Sequence, residues 1–209
     1  EAGVEVVAMI DSRAEVQPLG DYPLYTGAVV TGSRGRLGLK SIDIRQNDGS
    51  VKRIDCDALG VSGGWNPSVH LTCHMNGRPV WDPALASFTP QPGAIPGLVA
   101  AGAAAGEMST QGALAQGQAE ALTLAKALGK RVKPSALPVA DATPYEITPF
   151  WDVGGTGRAW LDFQNDVTVK DIKQAVQENF RSVEHMKRYT TQGMATDQGK
   201  NSNVAALAV

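Results

Sequence analysis

The sequence predicts an α/β chain, with short buried strands in its first half and a small helical unit at its end. Three features carry that prediction. Continuous apolar runs at residues 4–10 (VEVVAMI), 57–61 (DALGV) and 97–102 (GLVAAG) have the composition of strands covered on both faces. The last run passes through small residues into a stretch at 110–128 rich in Ala, Leu and Gln, good helix formers. Residues 161–203 hold two short helical patterns bracketed by polar, irregular ends.

Bulk properties narrow the function classes. The 209 residues suffice for one domain or one and a half. The formal net charge of −2 points to no nucleic-acid partner, which needs a concentrated basic face. No apolar run approaches the ~20 residues that span a bilayer, and no signal peptide is visible. Cys56 and Cys73 lack metal spacing and read as buried or half-buried thiols of a reducing, cytoplasmic compartment. His70, His74 and His185 are too few and too scattered for a metal, and Pro67 argues against a helical face through His70 and His74. The chain starts without Met, almost inside a strand. It stops on the apolar run VAALAV without a closing element, so it reads as an internal piece of a longer polypeptide.

The run 4–10 ends at Asp11-Ser12-Arg13. An acid at such a strand end accepts ribose hydroxyls in dinucleotide-binding folds. The Gly-rich fingerprint that belongs about 20 residues earlier lies outside the chain, so Asp11 is equally a turn residue. Strands follow at 24–30, 37–45 and 51–54, separated by turns at Gly32-Ser33-Arg34-Gly35 and Asn47-Asp48-Gly49-Ser50. Asp48-Gly49 tolerates the positive φ of a hairpin turn. Arg34 and Arg36 either meet a phosphate or mark a solvated tip. The run 57–61 empties into Ser62-Gly63-Gly64-Trp65-Asn66-Pro67, where Gly63 and Gly64 permit close backbone approach. Trp65 either stacks on a ring or packs as a hydrophobe.

Residues 71–96 carry Pro79, Pro83, Pro90, Pro92 and Pro96, which predict a winding connection with short extended pieces such as 79–82. The helix at 110–128 contains Gly112 and Gly117, which weaken it unless something packs close, and Gly129 caps its end. Small residues around Gly102, Ala103 and Gly106, with Gln111 and Gly112 opening the helix, have two readings. Either they let backbone N–H groups approach a pyrophosphate or ribose, or they pack helix on sheet. Residues 130–148 are a proline-bearing linker by composition. Phe150-Trp151 and Trp160-Leu161 are aromatic anchors expected to dock the helical segment on the dinucleotide domain or on another subunit.

In the last segment Ile172, Ala175, Val176 and Phe180 share a helical face, started by Thr168 with Asp171 three residues on. Ser182 caps the next helix, whose stripe is Val183, Met186 and Thr190. Residues 192–203 are a loop with directed polar side chains.

Three strings resemble the alpha subunits of heterotetrameric sarcosine oxidases: CDALGVSGGWNP at 56–67, AGAAAG with its flanking strand and helix, and VTVKDIKQAVQENFRSVEHMKRYTTQGMATDQGK at 167–200. The middle one is also similar to the closing motif of glutathione-reductase-like, Rossmann-type FAD/NAD(P)-binding folds. There an Asp follows the Ala-Gly, and Ala103 stands in its place. The last string is similar, more distantly, to small helical domains that hold a two-iron, two-sulphur cluster with cysteines at both ends. Here those places read Asp162-Phe163-Gln164 and Met194-Ala195-Thr196-Asp197-Gln198-Gly199. Such clusters need thiolates, so the resemblance implies a cluster-free, ferredoxin-associated-like domain with no iron–sulphur cluster.

The resemblance implies four segments: 1–68, the end of an inserted nucleotide-binding domain; 69–130, the closing part of the first dinucleotide-binding domain; 131–158, a linker; and 159–209, the helical domain. It implies an oxidoreductase acting on the CH–NH group of sarcosine, with tetrahydrofolate as one-carbon acceptor and oxygen as oxidant. NAD would lie on this subunit, FAD and FMN on the flavin-carrying beta subunit, with small gamma and delta subunits beside them. Lys187, Arg188 and Lys200 around Thr190 and Thr191 would hold a flavin phosphate or an acidic partner surface, or form a solvated basic turn. No catalytic residue is identified. The competing reading is a non-catalytic scaffold or assembly module of a related amine or opine dehydrogenase complex.

Overall fold

The computed structural model describes residues 3–155 and 157–209. They form two compact units, Glu1–Val61 with Phe150–Val209, and Ser62–Pro149.

The first unit begins with a parallel pair, β1 (Met9–Asp11) and β2 (Leu24–Thr26). A three-stranded antiparallel sheet follows: β3 (Val29–Arg34), β4 (Ser41–Arg45) and β5 (Val51–Asp55), in that order. Alternation along β4 explains its central place. Ile42 and Ile44 point to one face and are 2% and 0% exposed. On the other face Asp43 accepts from Arg34 at 3.1 Å and Arg53 at 2.9 Å, one on each neighbouring strand. Thr31 is an extra residue in β3, a bulge between Val30 and Gly32. The β4–β5 turn is the expected one: Gly49 takes φ +81 and Ser50 donates to the Asp48 carboxylate. The β3–β4 turn lies later than expected, because Gly32, Ser33 and Arg34 stay in the strand. Gly35 makes the reversal at φ +144, where a Cβ would lie 1.8 Å from the Gly38 carbonyl.

The segment 150–155 is strapped across this unit. Arg45 donates to the Val153 carbonyl at 2.6 Å, and Lys173 pairs with Asp152 at 2.9 Å. The helical part holds a hairpin, β8 (Trp160–Asp162) and β9 (Val167–Thr168), then α3 (Val169–Gln177), α4 (Val183–Thr190) and α5 (Asn203–Ala208). The apolar end of the chain, expected to lack a closing element, thus forms α5, and Ala206 enters the core.

The second unit contains the short helix α1 (His70–His74), the hairpin β6 (Val80–Asp82) and β7 (Ser87–Thr89), a 3-10 turn at Gly102–Ala105, and α2 (Thr110–Ala127). Trp81 and Phe88 meet edge to face across the hairpin, at 5.1 Å. Ser109 caps α2 by accepting from the Gly112 N–H. Gly129, at φ +69, ends it: Lys130 N–H reaches the Ala125 carbonyl and Gly129 N–H reaches Lys126. The proline-bearing stretch expected as a linker carries no regular element but is fastened along α2. Gln111 donates its N–H to the Asp141 carbonyl and accepts from Ala140 N–H, and Gln118 donates to the Ser135 carbonyl.

Several expected strands are not strands. Residues 4–8, 57–61 and 97–101 lie outside every ladder among the described residues, and Val4, Val61 and Val99 are exposed. An apolar run supplies the side chains of a strand but not the neighbour whose N–H and C=O groups it must pair with. His70 and His74, expected not to share a helical face, bound α1, since Pro67 precedes the helix and breaks none of its bonds. Cys73, expected to be at least half buried, is exposed on that helix.

Truncating Ile44 to Ala is expected to cost about 2–5 kcal/mol, the range for a fully buried aliphatic side chain. Val51→Ala on the exposed end of β5 is expected to stay within about 0.5 kcal/mol. Urea midpoints of the two variants check the contrast.

Candidate functional site

The helical part is built around one buried carboxylate. Thr168 ends β9 and caps α3: its hydroxyl accepts from Asp171 N–H, while the Asp171 carboxylate accepts from Thr168 N–H at 2.8 Å. That capping box aims Ile172 and Ala175 inward, onto Val167, Met186 and Ala206, with Leu161, Phe180 and Val183 around them, and Val169 is buried on the same helix. Val176, expected on the same face, is 45% exposed; the buried face runs through Val169 instead. Asn179 at φ +70 stops α3, Phe180 N–H returns to the Ala175 carbonyl, and the Phe180 ring stacks on Tyr189 at 4.5 Å. Ser182 stands at the α4 cap position without a side-chain bond.

Asp162 closes this arrangement. Its residue is 3% exposed. One carboxylate oxygen accepts from the N–H groups of Gln164 and Asn165, at 2.9 and 3.2 Å. The other accepts from Gly193 N–H at 2.8 Å, across the domain. Burial pushes the Asp162 carboxyl up, but the amides of Gly193, Gln164 and Asn165 outweigh it and leave the group below the usual carboxylate range. Gln164 and Asn165 extend the seam, accepting from Thr196 N–H at 3.1 Å and donating to the Thr191 carbonyl at 3.0 Å. Gly193, at φ +66, lies under the Asn203 amide, which a Cβ there would meet at 2.4 Å. Among the described residues no group of three His, Cys, Asp or Glu is placed to hold a metal. In the sequence Asp162 stands out only as the place where cluster-bearing relatives have a cysteine. The Asp-x-Gln-Asn pattern, which favours side-chain-to-backbone turns, was the available signal.

Asp11 ends β1 as expected, but Arg13 holds it with two side-chain bonds at 3.0 and 2.8 Å, which keep its carboxyl below the ordinary range. In the second unit Gly64 takes φ +87 beneath Tyr145 and Ile147; a Cβ would lie 2.5 Å from the Ile147 side chain. Trp65 N–H donates to the Tyr145 hydroxyl while its ring is 71% exposed. Gly63 contacts nothing at its Cβ position.

Gly102 lies against Ala113 of α2, and the neighbouring Ala103 is exposed. Gly102 N–H donates to the Gln116 side chain at 2.7 Å, and Glu107 N–H returns to the Gly102 carbonyl. Gly106 is left-handed at φ +94, against Leu85. At the helical end Arg188 and Lys200 are exposed. The Thr190 hydroxyl is committed to the Met186 carbonyl at 2.8 Å, and the Thr191 hydroxyl donates to the Thr190 carbonyl. Of Arg34 and Arg36, also candidates for a phosphate, Arg34 is paired with Asp43.

The fold first defines a class. It is shared with part of the crystal structure of L-proline dehydrogenase from P. horikoshii, at a TM-score of 0.60 and 17% identity, covering 89% of this chain and 39% of that one. Residues 156–209 match the sarcosine oxidase A3 domain. Along its length the chain is 41% identical to the sarcosine oxidase subunit alpha of Rhizobium meliloti (strain 1021), covering all of this chain and 21% of that protein. It is 36% identical to the subunit of the same name from Corynebacterium sp. (strain U-96), over 98% of this chain and 23% of that one. The chain is thus homologous, end to end, to a segment of sarcosine oxidase alpha subunits, and spans about a fifth of their length.

Asp162→Ala is expected to destabilise the protein by about 2–4 kcal/mol, since it strands amides that a charged acceptor satisfied. The pH profile has a definite sign. A carboxyl lowered on folding contributes fully above its unfolded value, near 3.9, and that contribution is lost as pH falls further through the folded value. Melting temperatures of wild type and Asp162→Asn are therefore expected to differ most near neutral pH and to converge in acid.

Proposed function

We propose that this chain is the part of a sarcosine-oxidase-type alpha subunit that supplies a dinucleotide platform and subunit contacts, within an enzyme that oxidatively demethylates sarcosine. The observation that carries the reading is the 41% identity over the whole chain. The shared fold with a dehydrogenase of an amino acid supports oxidoreductase chemistry on a CH–NH group. In this reading residues 1–68 and 69–130 belong to Rossmann-type nucleotide-binding domains, 131–158 connect, and 159–209 form the A3 domain. NAD belongs to this subunit, with Asp11 at its ribose, and FAD and FMN belong to a beta subunit. Gamma and delta subunits complete a cytoplasmic complex. No helix of the described residues is long and apolar enough to cross a membrane.

The fit of NAD to the residues is uneven. Asp11 has the right place and charge, once Arg13 yields a lone pair. The start of α2 fits a pyrophosphate poorly as it stands, because the Ser109, Gln111 and Gly112 N–H groups already have protein acceptors. NAD titrated into the full-length subunit is expected to give a saturable heat that Asp11→Ala weakens about tenfold or more, the worth of a charged hydrogen bond. A flat titration removes the platform. Arg188→Ala in the assembled oxidase is expected to lower flavin content or subunit affinity, and unchanged values of both discard that contact.

A further inference from the structure

We propose that residues 4–8 and 57–61 are the two walls of a slot that receives an apolar β-strand from the part of the alpha subunit outside this chain. The proposal deepens the reading of residues 1–68 as part of a nucleotide-binding domain, and rests on that reading for the choice of occupant. Three observations within the first unit carry it.

The first is pairing. β1 and β2 form a parallel sheet of two strands. Parallel sheets occur almost only with both faces covered, and a lone pair of strands is marginal in water. Residues 4–8 lead directly into β1. Among the described residues their N–H and C=O groups enter no ladder and no other backbone bond. Residues 57–61 follow β5 in the same condition: Cys56 N–H donates to the Lys40 carbonyl at 3.1 Å, and pairing stops there. The second is exposure. Both runs are rich in apolar side chains, but Val4 is 78% and Val61 82% exposed, with Val6, Val7 and Leu59 exposed between. An apolar stretch with unpaired main chain is a template for a further strand.

The third is place. The beginnings of the two runs face each other across an open cleft of about 600 Å³, lined by Val4, Glu5, Val7, Cys56, Asp57 and Ala58. A strand between two others lies about 4.8 Å from each and bonds to both. One occupant therefore satisfies both walls. That occupant is a strand of the same polypeptide. The chain covers 21% of the Rhizobium meliloti subunit, so most of such a subunit lies elsewhere. A parallel strand reaches its neighbour through a crossover of a dozen or more residues, which that length supplies. The surface of a separate subunit meets its mate through mixed polar and apolar contacts. Unpaired main chain bordered by valines suits the interior of a sheet instead.

The test uses the full-length subunit in its assembled complex. Hydrogen exchange followed by mass spectrometry is expected to show the amides of 4–8 and 57–61 exchanging at least about 10³-fold more slowly than in an unstructured chain, as ladder amides of a domain of ordinary stability do. A leucine-sized diazirine in place of Val4, in a subunit whose melting temperature shows it folded, is expected on illumination to join the alpha subunit to an apolar segment of itself outside residues 1–209. Rapid exchange in either run overturns the slot. An adduct to another subunit, or one confined to residues 1–209, overturns it as well. A parallel NAD titration keeps the two ideas apart. Slow exchange and the internal adduct in a subunit that gives no heat with NAD leave the slot standing and remove the platform. Heat from NAD with rapid exchange in either run does the reverse.

Discussion

The helical part of the chain depends on the bond between the Asp162 carboxylate and Gly193 N–H. It joins the end of β8, where the chain turns irregular, to an irregular stretch 31 residues on. An irregular stretch next to a core has backbone groups that neither helix nor ladder satisfies, and leaving them unpaired costs about as much as a lost hydrogen bond each. One ionised carboxylate takes three of them at once. With those ends drawn together, α3, α4 and α5 enclose Ile172, Ala175, Met186 and Ala206. Remove the carboxylate and the apolar faces persist, but only the weaker Gln164–Thr196 and Asn165–Thr191 bonds still join the loops that frame them.

Over its longer separations, the second unit solves the same problem with neutral side chains. Its strands are few, so glutamines stand in for neighbours. Gln111 pairs both its own N–H and its side-chain oxygen with residues 141 and 140, as an adjacent strand would. Gln116 holds Gly102, Gln118 holds Ser135, and the Tyr145 hydroxyl takes Trp65 N–H. The glycines follow from these approaches: Gly64 and Gly102 lie where a side chain would strike Ile147 or crowd Ala113. A small-residue run that looks made for a ligand is, in this chain, approached by the chain itself.

What could be read from the residues in advance was local. The Thr168–Asp171 cap, the Asp48-Gly49 turn, and α2 with its Gly129 stop depend on atoms within a few positions of one another. What escaped was long-range. Asp162 has a donor at 193, and nothing in the intervening sequence marks that partner. The runs at 4–8, 57–61 and 97–101 have the composition of strands, and composition is silent about which backbone lies alongside. Asp11 ends its strand as the sequence suggests, but its pairing with Arg13, two residues on, depends on side-chain geometry that the order of residues does not carry.

The strap at residues 152–153 is moored by two different kinds of bond. At the sheet, Arg45 grips a neutral carbonyl at short range. At α3, Lys173 and Asp152 meet as opposite charges, with side chains 54% and 28% exposed. Dissolved ions weaken exposed charge pairs far more than they weaken a hydrogen bond to a carbonyl. Concentrated salt therefore slackens one mooring and spares the other, so that the connection comes loose from the helix while it stays fast to the strand.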